Sequence, residues 1–157
     1  MSKIVPADDS VDLRRGIDHI GVSAVSIIHD GKGRILLMKR GPKARDERGR
    51  WDICGGAIEF GESIDETIKR EVKEELSATA IDIEFLTVYD AHREHEGNKT
   101  HWIALLHAVL VDPNKVKIGE PHKIAQIDWF NEATLPKPLH SQFHKALSAA
   151  KTAGIIK

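Results

Sequence analysis

The chain has 157 residues, a length that suits one compact domain, and its 23 Lys plus Arg against 24 Asp plus Glu leave a formal net charge of -1. Near-neutrality argues against a non-specific nucleic-acid binder, whose affinity comes from cations that neutralise phosphate. A lone cysteine, Cys54, excludes an internal disulfide framework and argues against a cysteine-based zinc site; a polar start and the lack of any apolar run of ~20 residues argue for a cytoplasmic protein with no membrane partner.

Residues 1–16 read as a loosely attached leader to a single domain spanning 17–157. His19 to Ile28 is rich in Val and Ile and predicts a strand; the turn signal His29-Asp30-Gly31-Lys32-Gly33 and the run Arg34 to Met38 extend it into a hairpin. Arg40 to Arg50 is a charged loop that leads to Trp51 and to the pair Gly55-Gly56. Ser63 to Leu76 carries the clearest helix signal. Ser63 and Glu66 make a capping box, and Ile64, Ile68, Val72 and Leu76 recur every fourth residue as one apolar stripe. Two β-like runs follow, Ile81 to Tyr89 and Trp102 to Val111, with a polar loop from His92 to Thr100 between them. Ile124 to Phe130 predicts a last strand, and Leu139 to Ala153 a closing helix with Phe143, Leu147 and Ala150 at helical spacing. The order predicts a mixed α/β chain with helices packed on a sheet.

The helix from Ser63 carries Glu71, Glu74 and Glu75 on one face, where like charges three and four apart repel. They also sit toward the helix C-terminus, where the macrodipole disfavours anions. Glu75 projects at the border of the apolar stripe. A partly sheltered cluster of hard oxygen donors suits Mg²⁺ or Mn²⁺. By itself such a helix reads as a solvated acidic face balanced by Lys69, Arg70 and Lys73, since charge runs are usually surface.

The wider spacing changes that reading. Gly56, five residues, Glu62, seven residues, then Arg70-Glu71-Val72-Lys73-Glu74-Glu75 resembles the signature of the Nudix hydrolases, G-x5-E-x7-R-E-U-x-E-E-x-G-U with U aliphatic. All the ionisable positions match. Ser77 departs from the last glycine, which should strain or reroute the helix exit, and Ala78 is small for the final aliphatic. Cys54 stands where the family often has proline and reads as a small buried hydrophobe. Arg50-Trp51, Gly61-Glu62-Ser63 and Glu120-Pro121-His122-Lys123 ahead of Trp129-Phe130 extend the likeness to the small MutT-like members, over roughly residues 18–135.

The resemblance implies the Nudix fold, of the α/β (α+β) class, a mixed β-sheet between α-helices with the box as a loop–helix–loop. It assigns metal binding to Glu74 and Glu75, with Glu71 as a further ligand or as the group that activates water, and with the Gly55 carbonyl joining the shell. Arg70 would hold the carboxylates in register, and Glu62 would support the loop or help to bind metal. The implied cofactor is Mg²⁺, which Mn²⁺ can replace. The implied reaction is hydrolysis of the diphosphate linkage of a small nucleotide, first a nucleoside triphosphate giving monophosphate and pyrophosphate. An ADP-ribose or nucleotide-sugar pyrophosphatase is the alternative, followed by a non-catalytic nucleotide-binding module; a prenyl diphosphate isomerase would want a reactive cysteine that Cys54 does not suit. The chain is expected to act as a monomer or homodimer. Arg40 and Lys39, at the end of the second strand, are candidate phosphate contacts. Many relatives carry one more acid outside the box; Gln126 stands nearest to its place, so Glu120, Glu94 or Glu96 would have to serve. His92, His95, His101, His107, His122, His140 and His144 read as surface or hydrogen-bonded groups, only His140 and His144 pairing on the closing helix, and Trp102 and Tyr89 read as core residues more readily than as base-stacking ones.

Overall fold

The computed structural model describes residues 12–157. Residues 1–11, most of the expected leader, lie outside the described residues. Its last residues are docked: the Arg15 guanidinium donates to the Ile58 carbonyl at 3.3 Å, and the Gly16 carbonyl accepts from the His101 amide at 2.8 Å.

Seven strands and two helices follow in the order β1 (Gly21–His29), β2 (Ile35–Arg40), β3 (Trp51–Asp52), β4 (Cys54–Ala57), α1 (Ile64–Leu76), β5 (Asp82–His95), β6 (Asn98–Leu110), β7 (Ile124–Phe130) and α2 (Phe143–Thr152). β1 runs parallel to β6 along its whole length, from Gly21 opposite Trp102 to His29 opposite Leu110. Its other edge is shared. β2 takes only Ile28 and His29, while β4 takes Ser23 to Ser26. β2 then turns to β7 and β3 for its remaining partners. Splitting one strand edge between two neighbours opens the sheet, and a cleft forms there.

Alternation along the strands supplies two cores, one per face. Ala24, Ile28, Leu36 and Met38 pack against Ile68, Val72 and Leu76 of α1. Ile27, Ile35 and Leu37 pack with Trp51 and Leu106 against Phe143, Ala146 and Ala150 of α2. Each of the three fully buried α1 side chains contributes ~1.5–3 kcal/mol by leaving water. The sheet is therefore held between two helices, as the sequence predicts. No helix among the described residues is long and apolar enough to cross a membrane.

Four details differ from the sequence reading. The stripe of α1 starts at Ile68, since Ile64 is exposed. Ser77 neither reroutes the helix nor breaks it. It occupies the left-handed region at φ 50° and ψ 26° and caps α1 by donating its amide to the Lys73 carbonyl, at a cost on the order of 1 kcal/mol for a residue with a Cβ. The polar stretch from His92 to Thr100 is strand, not loop: β5 and β6 stay paired out to His95 opposite Asn98, and the turn is only Glu96-Gly97. The covered face of this ribbon is built from the polar Arg93, His95 and Thr100, so it carries no apolar alternation to betray it. The closing helix begins at Phe143, because Leu139 bridges Trp51 and the His140 amide donates to the Trp51 carbonyl.

Candidate active site

The loop–helix unit from Gly55 to Leu76 is built around Arg70. Its guanidinium donates to Glu62 Oε1 at 2.6 Å and Oε2 at 3.0 Å, to Glu71 Oε1 at 2.7 Å, to Glu74 Oε2 at 3.4 Å and to the Ala57 carbonyl at 3.2 Å. A planar fork can serve five acceptors in this way; an ammonium cannot. Glu62 accepts further bonds from the Thr67 hydroxyl and the Glu59 amide. The hydrogen bonds from Arg70, and then that from Thr67, hold the Glu62 carboxyl down at about 2. The hydrogen bonds Arg70 donates to Glu62 and Glu71 in turn raise its guanidinium above its ordinary value. Glu62 thus braces the loop and sits away from the cleft.

Glu71 lies over the backbone of β4. A Cβ at Gly56 would stand 2.1 Å from Glu71 Oε1, so only glycine lets the carboxylate rest there. One turn later, Glu75 Oε2 is buried with no hydrogen-bond partner. Burial pushes the Glu75 carboxyl well above the usual carboxylate range, and the charges of Glu71 and Glu120 push it further. The Cys54 thiol lies against it and offsets part of that shift. Cys54 itself is buried, and burial raises its thiol well above the ordinary value, so it is no ready nucleophile. Glu74 is the most exposed of the three helix carboxylates, at 49%. The segment after α1 covers the helix end: Lys117 and Gly119 donate to the Leu76 and Glu75 carbonyls, and a Cβ on Gly119 would collide with the Glu74 carbonyl at 2.0 Å.

Of the helix carboxylates, Glu75 borders a cleft of about 380 Å³. Gly55, Gly56, Glu120 and Lys123 line it beside Glu75, and Lys123 is paired with Glu120 at 3.3 Å. Tyr89, Arg93 and Trp102 also wall it, with Arg45 lying 5.7 Å from the Trp102 ring centre. Trp102 Nε1 and Gln142 Oε1 are buried without partners there. Close packing explains the position of Trp102, since a Cβ on either Gly16 or Gly21 would overlap its ring.

Of the expected site residues, Glu62, Arg70, Glu71, Glu74 and Glu75 come together on the box, and Gly55 and Glu120 line the cleft. Lys39 is not among the cleft-lining residues, and the Arg40 guanidinium, although on the cleft wall, is spent on Asp46 and Asp52 at 2.7 and 3.1 Å and on the Asp46 carbonyl. Among the acids weighed outside the box, Glu120 alone lines this cleft. Gln126 is exposed on β7, and Glu94 and Glu96 lie near or at the hairpin tip. Trp102 and Tyr89 are cleft wall as well as core. His140, which the sequence pairs with His144 on the closing helix, precedes that helix and sits 2.7 Å from Glu47 beside Arg93. Lys123 lies in the Glu120-Pro121-His122-Lys123 segment of the likeness, whereas Arg45, Arg93 and Gln142 carry no local motif that could have singled them out.

The donor set is suited to a hard divalent ion. Glu71, Glu75 and Glu120 supply only oxygen, the charges of Glu71 and Glu120 add to the upward shift of Glu75, and Glu75 Oε2 is buried without a partner. Mg²⁺ or Mn²⁺ fits this chemistry.

A family model described as "NUDIX domain" matches residues 19–150. Among curated proteins the chain is 34% identical over 80 residues to the CTP pyrophosphohydrolase of Escherichia coli (strain K12), covering 51% of this chain and 57% of that protein. It is 32% identical over 115 residues to the ADP-ribose pyrophosphatase of Methanocaldococcus jannaschii, covering 73% of this chain and 64% of that protein. The chain thus spans less than two-thirds of either relative's length. Among solved structures, a MutT NUDIX hydrolase from Burkholderia pseudomallei superposes with TM-score 0.74 at 29% identity, covering 83% of this chain and 98% of that one. The NUDIX domain of Shewanella oneidensis NrtR, complexed with ADP ribose, gives 0.71 at 17% identity, with 86% and 88% covered, a likeness of fold.

Proposed function

This chain belongs to the NUDIX family, and from that premise we propose that it is a pyrophosphohydrolase which cuts the diphosphate linkage of a small nucleotide with water, using Mg²⁺. The observation that carries the proposal is the buried Glu75 carboxylate, its Oε2 without a partner, facing Glu71 and Glu120 on the wall of a nucleotide-sized cleft. In this reading Glu71, Glu74 and Glu75, with the Gly55 carbonyl, hold the ion, and Glu120 extends the set. When bound, Mg²⁺ supplies neutralising charge at the diphosphate and acidifies a water molecule. Glu71 accepts the proton of the attacking water, held in position by Arg70 and by the space that Gly56 leaves it. Arg70 and Glu62 act through the carboxylates and touch no substrate. Lys123 and Arg45 are the cleft cations that meet phosphate, while Tyr89 and Trp102 flank the nucleoside. Hydrolysis of this kind rests on positioning and charge stabilisation and needs no covalent nucleophile, which agrees with the buried thiol of Cys54.

The first substrate class is a nucleoside triphosphate, released as monophosphate and pyrophosphate, as the similarity to a CTP pyrophosphohydrolase supports. The second is ADP-ribose, supported by the longer alignment to an ADP-ribose pyrophosphatase. We place residues 17–157 in one domain acting in the cytoplasm on a small molecule, as a monomer or homodimer, with no nucleic-acid partner. The test is to incubate the purified chain with Mg²⁺ and a panel of nucleoside triphosphates, ADP-ribose and nucleotide sugars, and to resolve products by chromatography. Turnover that stops in EDTA and returns with Mg²⁺ or Mn²⁺ is expected; full turnover in excess chelator would contradict the metal-assisted reading.

A further inference from the structure

The β5–β6 hairpin presents a second group of ligand-type side chains on the face turned away from the cleft. Tyr89, Ala91 and Arg93 line the cleft, so the period of two turns Asp90 and His92 to the opposite side. His101 of β6 stands directly across from His92 in the ladder. The two imidazole rings approach with centroids 4.3 Å apart and planes tilted by 49°. His101 Nε2 lies 2.9 Å from Asp90 Oδ1. One donor atom from each of the three residues falls within 4.8 Å of the other two. His19 borders the same shallow groove as His92 and His101.

We propose that Asp90, His92 and His101 form a binding site for a borderline divalent transition-metal ion, Zn²⁺ in the first instance, separate from the carboxylate cluster at the cleft. Two imidazoles and one carboxylate with an open fourth position are a common zinc donor set, with bonds of about 2.0–2.2 Å. Donors that already lie within 4.8 Å of one another reach that geometry by small side-chain rotations. Imidazole nitrogen selects Zn²⁺, Ni²⁺ or Cu²⁺ over Mg²⁺, whereas the all-oxygen cluster at the cleft has the reverse preference. The ladder register fixes His92 and His101 opposite each other, so little ordering remains to be lost on binding. Among the described residues the His92 ring has no hydrogen-bond partner, which leaves its nitrogens free to ligate. Lys145 also reaches this strand, but it donates to the Asp90 backbone carbonyl and lies over the Tyr89 ring. A bound ion would pin β5 to β6 behind the cleft wall formed by Tyr89, Arg93 and Trp102.

The test uses the full chain without a histidine tag. Calorimetric titration with Zn²⁺ is run on the wild type, on Glu75→Gln and on the double variant His92→Ala, His101→Ala. The wild type should show a Zn²⁺ binding event that Glu75→Gln keeps and that the double variant weakens by at least ~10²-fold, beyond the usual loss from outer-sphere partners. Co²⁺ should give visible d–d absorption that disappears in the double variant. The mutated histidines lie outside the catalytic cluster, so Mg²⁺-supported hydrolysis, where present, should be unchanged. A double variant that titrates like the wild type, or a wild type whose only Zn²⁺ event is lost in Glu75→Gln, would overturn the site. Anomalous scattering at the zinc edge from soaked wild-type crystals reads it without mutation: a peak among the three side chains supports it, and none overturns it.

Discussion

Replacing Glu75 by Gln should move stability and catalysis in opposite directions. In the absence of metal, the Glu75 carboxylate is buried, has no partner for Oε2 and faces the charges of Glu71 and Glu120. Leaving such a group unsatisfied costs ~1–3 kcal/mol. Gln removes the charge, and its amide can donate toward the Glu71 carboxylate. The variant should therefore be more stable in EDTA by about 1–3 kcal/mol, which for a chain of this size raises the melting temperature by ~2–12 °C. Saturating Mg²⁺ should narrow or reverse the gap, since an ion at a hundred times its dissociation constant stabilises the wild type by about 2.7 kcal/mol. Turnover should fall by at least ~10²-fold, the usual loss when an electrostatic group is removed from a reacting centre. The assay is thermal melting in EDTA and in Mg²⁺ beside initial rates at saturating Mg²⁺. A variant destabilised in EDTA, or one that keeps near-wild-type turnover, would refute the reasoning.

Gly56→Ala places a Cβ 2.1 Å from Glu71 Oε1 and must displace that carboxylate, so kcat should fall at least ~10-fold while the fold persists by circular dichroism. Arg70→Lys keeps the charge but loses the fork that joins Glu62, Glu71, Glu74 and the Ala57 carbonyl; a ~10–100-fold loss in activity or metal affinity is expected, read by Mg²⁺ titration of the rate. Glu62 is held at about 2 against an ordinary 4.5, so its contribution to stability is fully present above pH 4.5 and disappears as pH falls toward 2. The gap in melting temperature between the wild type and Glu62→Gln should be constant above pH 4.5 and close below it; a gap that survives at pH 2 would contradict the Arg70 pairing.

The box was legible because its chemistry is local. Glu62, Arg70, Glu71, Glu74 and Glu75 lie within two turns of helix and one loop, so spacing alone brings them together. Ser63 and Glu66 likewise announce the helix start, and the structure forms that capping box. The cleft was not legible. Arg45 comes from a loop, Arg93 and Trp102 from paired strands, and Gln142 from the approach to α2, and only tertiary packing assembles them. Arg40 shows the same limit from the other side. A cation at a strand end resembles a phosphate contact until Asp46 and Asp52 are seen to occupy its donors. The outer hairpin escaped for a different reason, because its covered face carries Arg93, His95 and Thr100 instead of apolar side chains and leaves no periodic apolar mark.

The position of bond cleavage separates a pyrophosphohydrolase from a phosphatase most directly. Turnover of the substrate found by the nucleotide panel, run in ¹⁸O-labelled water with Mg²⁺ and followed by mass spectrometry, shows which phosphorus takes the oxygen. In the proposed reading Tyr89 and Trp102 flank the nucleoside and the carboxylates meet the diphosphate, so attack falls inside the diphosphate. For a nucleoside triphosphate, the label should appear in the monophosphate or in pyrophosphate. Label found only in orthophosphate from the terminal position would contradict a pyrophosphohydrolase and assign the chain to another reaction.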